Sequence, residues 1–322
     1  MQREGLVSTL IPVFNRSHLL REAVGSVLAQ TYRPIEIIIS DDGSTDDTPR
    51  VIAELQAQHP EIIHSIRIPN SGPGAAREAA RLIAEGEFIQ YLDSDDIIDR
   101  RKFERQVEGL RANSACGVAY GWTRFYKIGE LPPPRPWKRT GEAIPTMFPS
   151  FLQSRWWDTS TPLYRRYLTD RAGPWRTLRC EEDWEYDCRI ASLGVKLHHV
   201  PAFVSDTRTH QGEMLSADGA TAPKLRERTL AHVHILQHAQ RANITPDTPE
   251  MRHFARELFL LCRQCGAAGM PAEAQILFDL AREASGPERA RSLQFRLYGA
   301  IALTLGWTFA GRAASSMDTL RR

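Results

Sequence analysis

The chain has 322 residues, 42% of them apolar, and 41 Lys and Arg against 39 Asp and Glu leave a net charge of only +2. That is long enough for one large domain plus a smaller one, and it offers no overall field that would draw the protein to nucleic acid. Five cysteines, an odd number scattered along the sequence, exclude a disulfide-stapled miniprotein and fit a reducing compartment. The longest apolar runs, 6–14 and 297–310, fall short of the roughly 18–20 residues of a spanning helix. The first of them has only Arg3 as a basic lead and no small-residue cleavage pattern of a signal peptide, so a cytoplasmic location is expected.

From residue 6 to about 112, short β-rich runs alternate with helical periodicity, which predicts an α/β fold with a mostly parallel sheet and covering helices. Strands are expected over 6–13, 35–40, 63–68 and 88–92. Between the first two, Leu20, Val24, Val27 and Leu28 fall on one helix face behind Ser17 as N-cap. Thr48 and Pro49 read as the N-cap and first residue of a second helix, and a third should run from about Ala75 to Glu85, where Gly86 stops it. Prolines 132, 133, 134, 136, 145 and 149 then mark a long loop. Structured chain resumes at Trp156 and Trp157, with a helix starting near Glu181 and short strands around 195–204. After about Ala222 the periodicity is purely helical. The expected organisation is a catalytic domain over 1–218, with halves of about 1–115 and 116–218, and a helical region over 219–322.

Two acidic clusters directly follow predicted strands: Asp41-Asp42-Gly43-Ser44 and Asp93-Ser94-Asp95-Asp96. In an open parallel sheet ligands bind outside the carboxyl ends of the strands, so both clusters should open into one crevice. Carboxylates at i, i+2 on an extended segment share a side, suit Mg2+ or Mn2+, and through the ion can hold a diphosphate. The same residue types are also ordinary turn formers. Glu181, Glu182 and Asp183 open a predicted helix, where the helix dipole alone favours acids. Cys262-x-x-Cys265 has no second ligand pair nearby and reads as two structural cysteines on a helix. The run Gly72-Pro73-Gly74-Ala75-Ala76-Arg77 lacks the third glycine of a dinucleotide fingerprint, which excludes a dehydrogenase.

The runs Leu10-Ile11-Pro12-Val13-Phe14-Asn15, Gln30-Thr31-Tyr32, Ile39 to Asp46 and Gly86 to Asp96 resemble the nucleotide-binding half of the family 2 glycosyltransferases, and the likeness extends less sharply through Glu182-Asp183-Trp184 to about Ser216. The resemblance implies a GT-A (Rossmann-like) fold and inverting transfer of a sugar from a nucleoside diphosphate donor, UDP-linked, to a hydroxyl of a glycan or lipid-linked acceptor in polysaccharide or glycoconjugate biosynthesis. It implies that Pro12 and Phe14 line the nucleoside pocket, that Asp42 accepts from the base, and that Arg77 lies near the nucleotide, although Glu78 follows it where the family commonly has Asn. Asp93 would face the ribose. Asp95 would ligate Mn2+ or Mg2+, joined by His210 of Thr209-His210-Gln211, and Asp183 would be the general base. Trp157 lies in the stretch expected to face the acceptor and offers a flat indole to a sugar ring.

Two rival readings are a sugar nucleotidyltransferase, which should carry a glycine-rich basic loop where Asn15-Arg16-Ser17-His18 stands, and a non-catalytic sugar-nucleotide-binding protein, against which Asp95 and Asp183 together argue. Residues 282–322 carry seven Arg against Glu283, Glu288 and Asp318 around the apolar run 297–310 with Trp307. A helix of that kind either rests on the inner membrane face or packs into a core.

Overall fold

The structure, a computed structural model, describes residues 2–210 and 221–320, with side chains to 316. Gln211 and the stretch to Ser216 that extend the family-like runs, and Arg321 and Arg322 of the tail charge count, lie outside the described residues, as does the side chain of Asp318. The first elements are β1 (Arg3–Val13), α1 (Ser17–Leu28), β2 (Ile35–Asp41), α2 (Thr48–Gln58), β3 (Ile63–Arg67), α3 (Pro73–Ile83), β4 (Gly86–Tyr91), β5 (Ile97–Ile98) and α4 (Lys102–Ala112). They are followed by β6 (Cys116–Lys127), a 3-10 turn (Ser150–Leu152), β7 (Leu163–Arg165), α5 (Arg166–Ala172), α6 (Glu182–Ala191) and β8 (Lys196–Thr209). The chain ends in α7 (Ala222–Arg241), α8 (Pro249–Ala267), α9 (Pro271–Arg289), α10 (Leu293–Leu305) and α11 (Trp307–Leu320).

These elements form two compact units that interleave along the chain. One is drawn from Met1–Met147, Trp156–Thr177 and Leu193–Gly212, the other from Phe148–Arg155, Leu178–Ser192 and Glu213–Arg322. α6 falls in the second unit with the later helices, where α7 and the segment around the 3-10 turn meet its faces.

The first unit holds one eight-stranded sheet in the order β3-β2-β1-β4-β7-β6-β8-β5. β1 pairs in parallel with β2 and β4, and β2 with β3, as the sequence predicts. Such strands are covered on both faces and need near-continuous apolar runs, and all seven residues of β2 are buried. Leu20, Val24 and Val27 of α1 and Val51, Ile52 and Leu55 of α2 pack with Val7, Ile11, Ile37 and Ile39 in one core. Burial of each such side chain contributes about 1.5–3 kcal/mol.

The helix ends differ in detail from expectation. Arg16, not Ser17, is the cap residue of α1, and Asp47 that of α2. α3 begins two residues early at Pro73, whose fixed φ suits a first helical position, while Gly86 opens β4 instead of ending the helix. The expected short strands near 195–204 are one 14-residue strand, β8. Its Pro201, which has no N–H to give a ladder, is accommodated where the β6–β8 register skips from Gly121–Val200 to Trp122–Phe203. The proline stretch has no regular element between β6 and the 3-10 turn, as predicted.

In the second unit α8 and α11 approach so closely that a Cβ on Gly311 would stand 2.3 Å from the Ala267 nitrogen and one on Gly266 2.6 Å from the Trp307 carbonyl oxygen. Only glycine fits at that crossing. Cys262 and Cys265 are buried, free thiols on α8, the structural role expected. The apolar run 297–310 is not one helix, because Gly306 at φ 90° separates α10 from α11.

Candidate active site

β1, β2 and β4 run in the same direction, so their carboxyl ends bring Phe14, Asp42 and the Asp93–Asp96 cluster to one edge of the sheet. The loop after β1 is fixed first. Asn15, in the left-handed region at φ 52°, donates its N–H to Ser44 Oγ at 2.9 Å and accepts with Oδ1 from the N–H groups of Thr45 (2.8 Å) and Asp46 (3.3 Å). Arg16 N–H donates to Thr48 Oγ1 at 3.0 Å. This lacing carries the Arg16 guanidinium to Asp95, with Nη1 2.7 Å from Oδ2.

Asp42 is 5% exposed, and its two oxygens accept from the N–H groups of Ser71 (2.7 Å) and Gly72 (2.9 Å) at the start of α3. The turn it leads into needs Gly43, whose φ is +77° and whose Cβ would meet the Asn70 nitrogen at 2.9 Å. From α3, buried Arg77 reaches Asp93 Oδ1 at 2.8 Å, and its guanidinium lies 4.7 Å over the Trp175 ring. Pro12 is buried in β1, opposite Ser40 of β2, and Phe14 is 43% exposed.

The second cluster divides by environment. Asp93 is partly open, whereas Asp96 is buried, accepting from Ser160 O–H at 2.7 Å and from Arg208 N–H at 3.0 Å. Burial first, then the charges of Asp95 and Asp93, push its carboxyl well above the usual range. Ser160 Oγ also receives the Asp93 N–H at 3.3 Å, and the Arg208 Nε donates to the Asp95 carbonyl at 2.8 Å. Asp95 Oδ2 lies 3.2 Å from His210 Nε2 at the end of β8.

The Asp95–His210 spacing is close to the about 3.0 Å between adjacent ligands each about 2.1 Å from an octahedral Mg2+ or Mn2+. Among the described residues there is no group of three or more His, Cys, Asp and Glu able to hold a metal. Two protein ligands nonetheless fit an ion of this type, which is commonly bound through one or two carboxylates plus substrate phosphates. Arg16 brings a further positive charge to the same oxygen.

Asp183 lies in the first turn of α6, in the other unit. Its Oδ2 is 2.6 Å from Arg155 Nη1, and the Nε of that arginine is 2.6 Å from Asp187 Oδ2 one turn on. The guanidinium offsets the repulsion between the two carboxylates. Trp157 is fully buried and packs on Tyr120 with ring centroids 5.0 Å apart, so it has no face to offer a sugar. It is a core residue of the sheet unit, and Trp156 and Trp175 are buried too.

Arg16, Ser160, Arg208 and Arg155 are not among the residues that the sequence singles out. Arg16 has a signal, its place immediately beyond β1. The other three reach the acidic residues through contacts between segments 28 to 113 positions apart, which no local pattern reveals.

A mostly parallel, Rossmann-like sheet whose strand ends gather carboxylates, arginines and a histidine has the architecture in which α/β proteins bind ligands at the carboxyl edge, and it is the GT-A fold of the glycosyltransferases. The profile of Glycosyl transferase family 2 matches residues 8–169, half of the chain, and the chain belongs to that family. It is 41% identical over 114 residues to an uncharacterized glycosyltransferase of Nostoc sp., covering 35% of each protein, so the match spans about a third of that relative. Residues 1–349 of S. aureus TarS in complex with UDP-GlcNAc share the fold with a TM-score of 0.68 at 18% identity, over 99% of this chain and 92% of that one. The mannosyltransferase PcManGT of Pyrobaculum calidifontis, in complex with GDP-Man and Mn2+, has a TM-score of 0.53 at 20% identity, over 98% and 86%.

Proposed function

We propose that the protein is a metal-dependent, inverting glycosyltransferase that moves a sugar from a UDP-linked donor to a hydroxyl of a glycan or lipid-linked acceptor in polysaccharide or glycoconjugate biosynthesis. The observation that carries the reading is the approach of Asp95 and His210 to 3.2 Å beside the Arg77–Asp93 pair at the carboxyl edge of the sheet. UDP-GlcNAc in TarS and Mn2+ in PcManGT, on the same fold, support the donor class and the ion.

In this reading Pro12 and Phe14 border the nucleoside, Asp42 accepts from the base and orders the Ser71-Gly72 amides, Arg77 orients Asp93, and Asp93 faces the ribose. Asp95 and His210 would hold the cation, which when bound would supply Lewis-acid stabilisation of the departing diphosphate. Asp183 takes the proton of the acceptor hydroxyl, and one base on the acceptor side gives inversion. A thermal-shift panel of UDP-, GDP- and dTDP-sugars tests this. A UDP-sugar should stabilise the protein with Mn2+ and lose most of that effect in EDTA, whereas stabilisation indifferent to EDTA removes the metal role.

The protein is further proposed to act in the cytoplasm, in peripheral contact with the anionic membrane face where a lipid-linked acceptor lies. Among the described residues no helix is long and apolar enough to cross a membrane. However, Leu293, Leu297, Leu303 and Leu305 of α10 and Phe309 of α11 are 53–80% exposed, and residues 289–316 hold four Arg and no acid. A second copy of this surface would bring like charges together, whereas anionic lipid gives each basic residue about 1 kcal/mol. Flotation with anionic vesicles at moderate salt, lost on Leu297→Glu, is the expected result. Full-length protein that stays wholly in the unbound fraction ends the idea.

A further inference from the structure

α6 carries two pairs of carboxylates, each pair one turn apart. Asp183 and Asp187 share Arg155. Glu181 and Glu185 are held instead by α7. Glu181 Oε1 accepts from Arg228 Nε at 2.8 Å, whereas its buried Oε2 lies 3.1 Å from His232 Nδ1, whose hydrogen bond goes to the Arg228 carbonyl at 2.8 Å. Glu185 Oε1 is 2.8 Å from His238 Nε2, and Arg189 pairs with the same carboxylate. Both histidine side chains are 2% exposed. Between the two rungs, Trp184 sets its ring edge-on to His232 and donates its indole N–H to the Phe151 carbonyl at 2.7 Å.

Glu181 is also the cap residue of α6 and stands in the left-handed region, at φ 58° and ψ 14°. A residue with a side chain persists there only when its surroundings over-determine it. Its carbonyl receives the first helical N–H, that of Glu185, at 3.0 Å. The same residue therefore turns the chain into the helix, begins the helix and ties it to α7. Asp183 follows two positions later.

From this arrangement we infer that Glu181 is a positioning residue: hydrogen-bonded to Arg228 and set against His232 of α7, it fixes the first turn of α6 and so the direction of the Asp183 carboxylate. The inference rests on Asp183 being the base, and it gives the helical region a part in the reaction. Asp183 makes its contact with the acceptor proton, and Glu181 acts only through it. A carboxylate misdirected by about 1 Å loses rate in the chemical step while donor binding, which uses the sheet unit, is unaffected.

The test uses the full chain, Mn2+, and whichever of UDP-GlcNAc, GDP-mannose and dTDP-glucose it hydrolyses fastest, read as release of nucleoside diphosphate. Glu181→Asn keeps a residue that tolerates the left-handed region but removes the reach to α7, and Arg228→Gln removes the other side of the clamp. Each should lower kcat about 10- to 100-fold with donor KM within twofold of wild type. The double variant should be no worse than the poorer single, and Arg228→Lys should recover part of the rate. Amide exchange over 182–186 should quicken in both single variants while β1 is unchanged, a readout that does not depend on turnover. Wild-type kcat in Glu181→Asn, or a fall in kcat accompanied by an equal rise in KM, overturns the inference. If Glu181→Asn fails to fold, Arg228→Gln decides on the same criteria. Asp183→Asn run in parallel separates the two ideas: wild-type hydrolysis there rejects the base itself, whereas an inactive Asp183→Asn beside a fully active Glu181→Asn rejects the clamp alone.

Discussion

The carboxylates at the sheet edge and those on α6 are held in different ways. Asp42 accepts two backbone N–H groups, and Asp96 accepts a third together with a serine hydroxyl. Parallel β1 and β2 place Asp42, and the antiparallel β5–β8 pairing brings the Arg208 N–H to Asp96, so the chain itself holds them. On α6, charged side chains take the larger part: Arg155, Arg228, His232, His238 and Arg189 face Asp183, Asp187, Glu181 and Glu185, and Asp183 adds the neighbouring Trp184 N–H at 2.7 Å. A backbone-held acid is tied to stability, because its removal leaves N–H groups unsatisfied. A partly exposed acid such as Asp183 can change its chemistry with less cost to the fold, whereas the buried Glu185 cannot.

The largest expected effect breaks the second group at its reacting member. Asp183→Asn keeps the size and one acceptor oxygen but cannot take a proton, and Arg155 retains Asp187. Turnover should fall about 10²–10⁴-fold with donor affinity unchanged. Single-turnover transfer together with the melting temperature checks this. Near-wild-type transfer would reduce Asp183 to a helix-end charge and make Glu182 or Asp187 the next candidate.

Next is the buried pair on the same helix. Burial raises the Glu185 carboxyl, but the hydrogen bonds from His238 and Arg189 outweigh it and hold the group at about 2, below its ordinary 4.5. A depressed folded value means the stabilisation is complete above about pH 4.5 and is lost as pH falls toward 2. That shift corresponds to about 3 kcal/mol. Urea midpoints of wild type and Glu185→Gln should therefore converge between pH 4.5 and 2. Parallel curves over that range would show that the pair contributes nothing to acid stability.

Asp95→Ala tests the sheet edge at a carboxylate whose oxygen meets the side chains of Arg16 and His210 in place of backbone N–H groups. The fold should survive. What disappears is the Mn2+-dependent stabilisation by donor, about 2.7 kcal/mol at 100 times the dissociation constant. If calorimetry shows full Mn2+-dependent binding by the variant, Asp95 does not hold the cation.

The sequence makes the sheet edge legible and leaves the clamps invisible, for the same physical reason. β1 to β4 announce themselves as apolar runs, and the acids that follow them must stand at the strand ends. β6 carries no clear signal and β8 reads as fragments, because their burial does not alternate cleanly and Pro201 interrupts the pattern at a register skip that only the partner strand explains. Trp157 reads as acceptor-facing because an indole near a site and an indole under it have the same local sequence. Glu181 and Glu185 look like ordinary helix-start acids until Arg228, His232 and His238, some 50 positions later, are brought against them.

The smallest effect sharpens the comparison by making the same chemical change in the other setting. Asp42→Asn leaves one acceptor oxygen for two N–H groups and turns an NH2 toward the second. The Gly72 amide is buried, whereas the Ser71 amide is only part-buried and can turn to water. The cost should be about 1 to 2 kcal/mol, the lower part of the range for a buried donor left unsatisfied. Because the Ser71-Gly72 amides open α3, which carries Arg77 to Asp93, the loss should also appear as weaker donor binding. Asp183→Asn is thus expected to lower turnover and spare the melting temperature. Asp42→Asn should lower the melting temperature and donor affinity while leaving the rate at saturating donor within a few-fold. Equal melting temperatures for Asp42→Asn and wild type would mean that the Ser71 and Gly72 amides find other acceptors, and that backbone capture is not what holds this edge of the sheet.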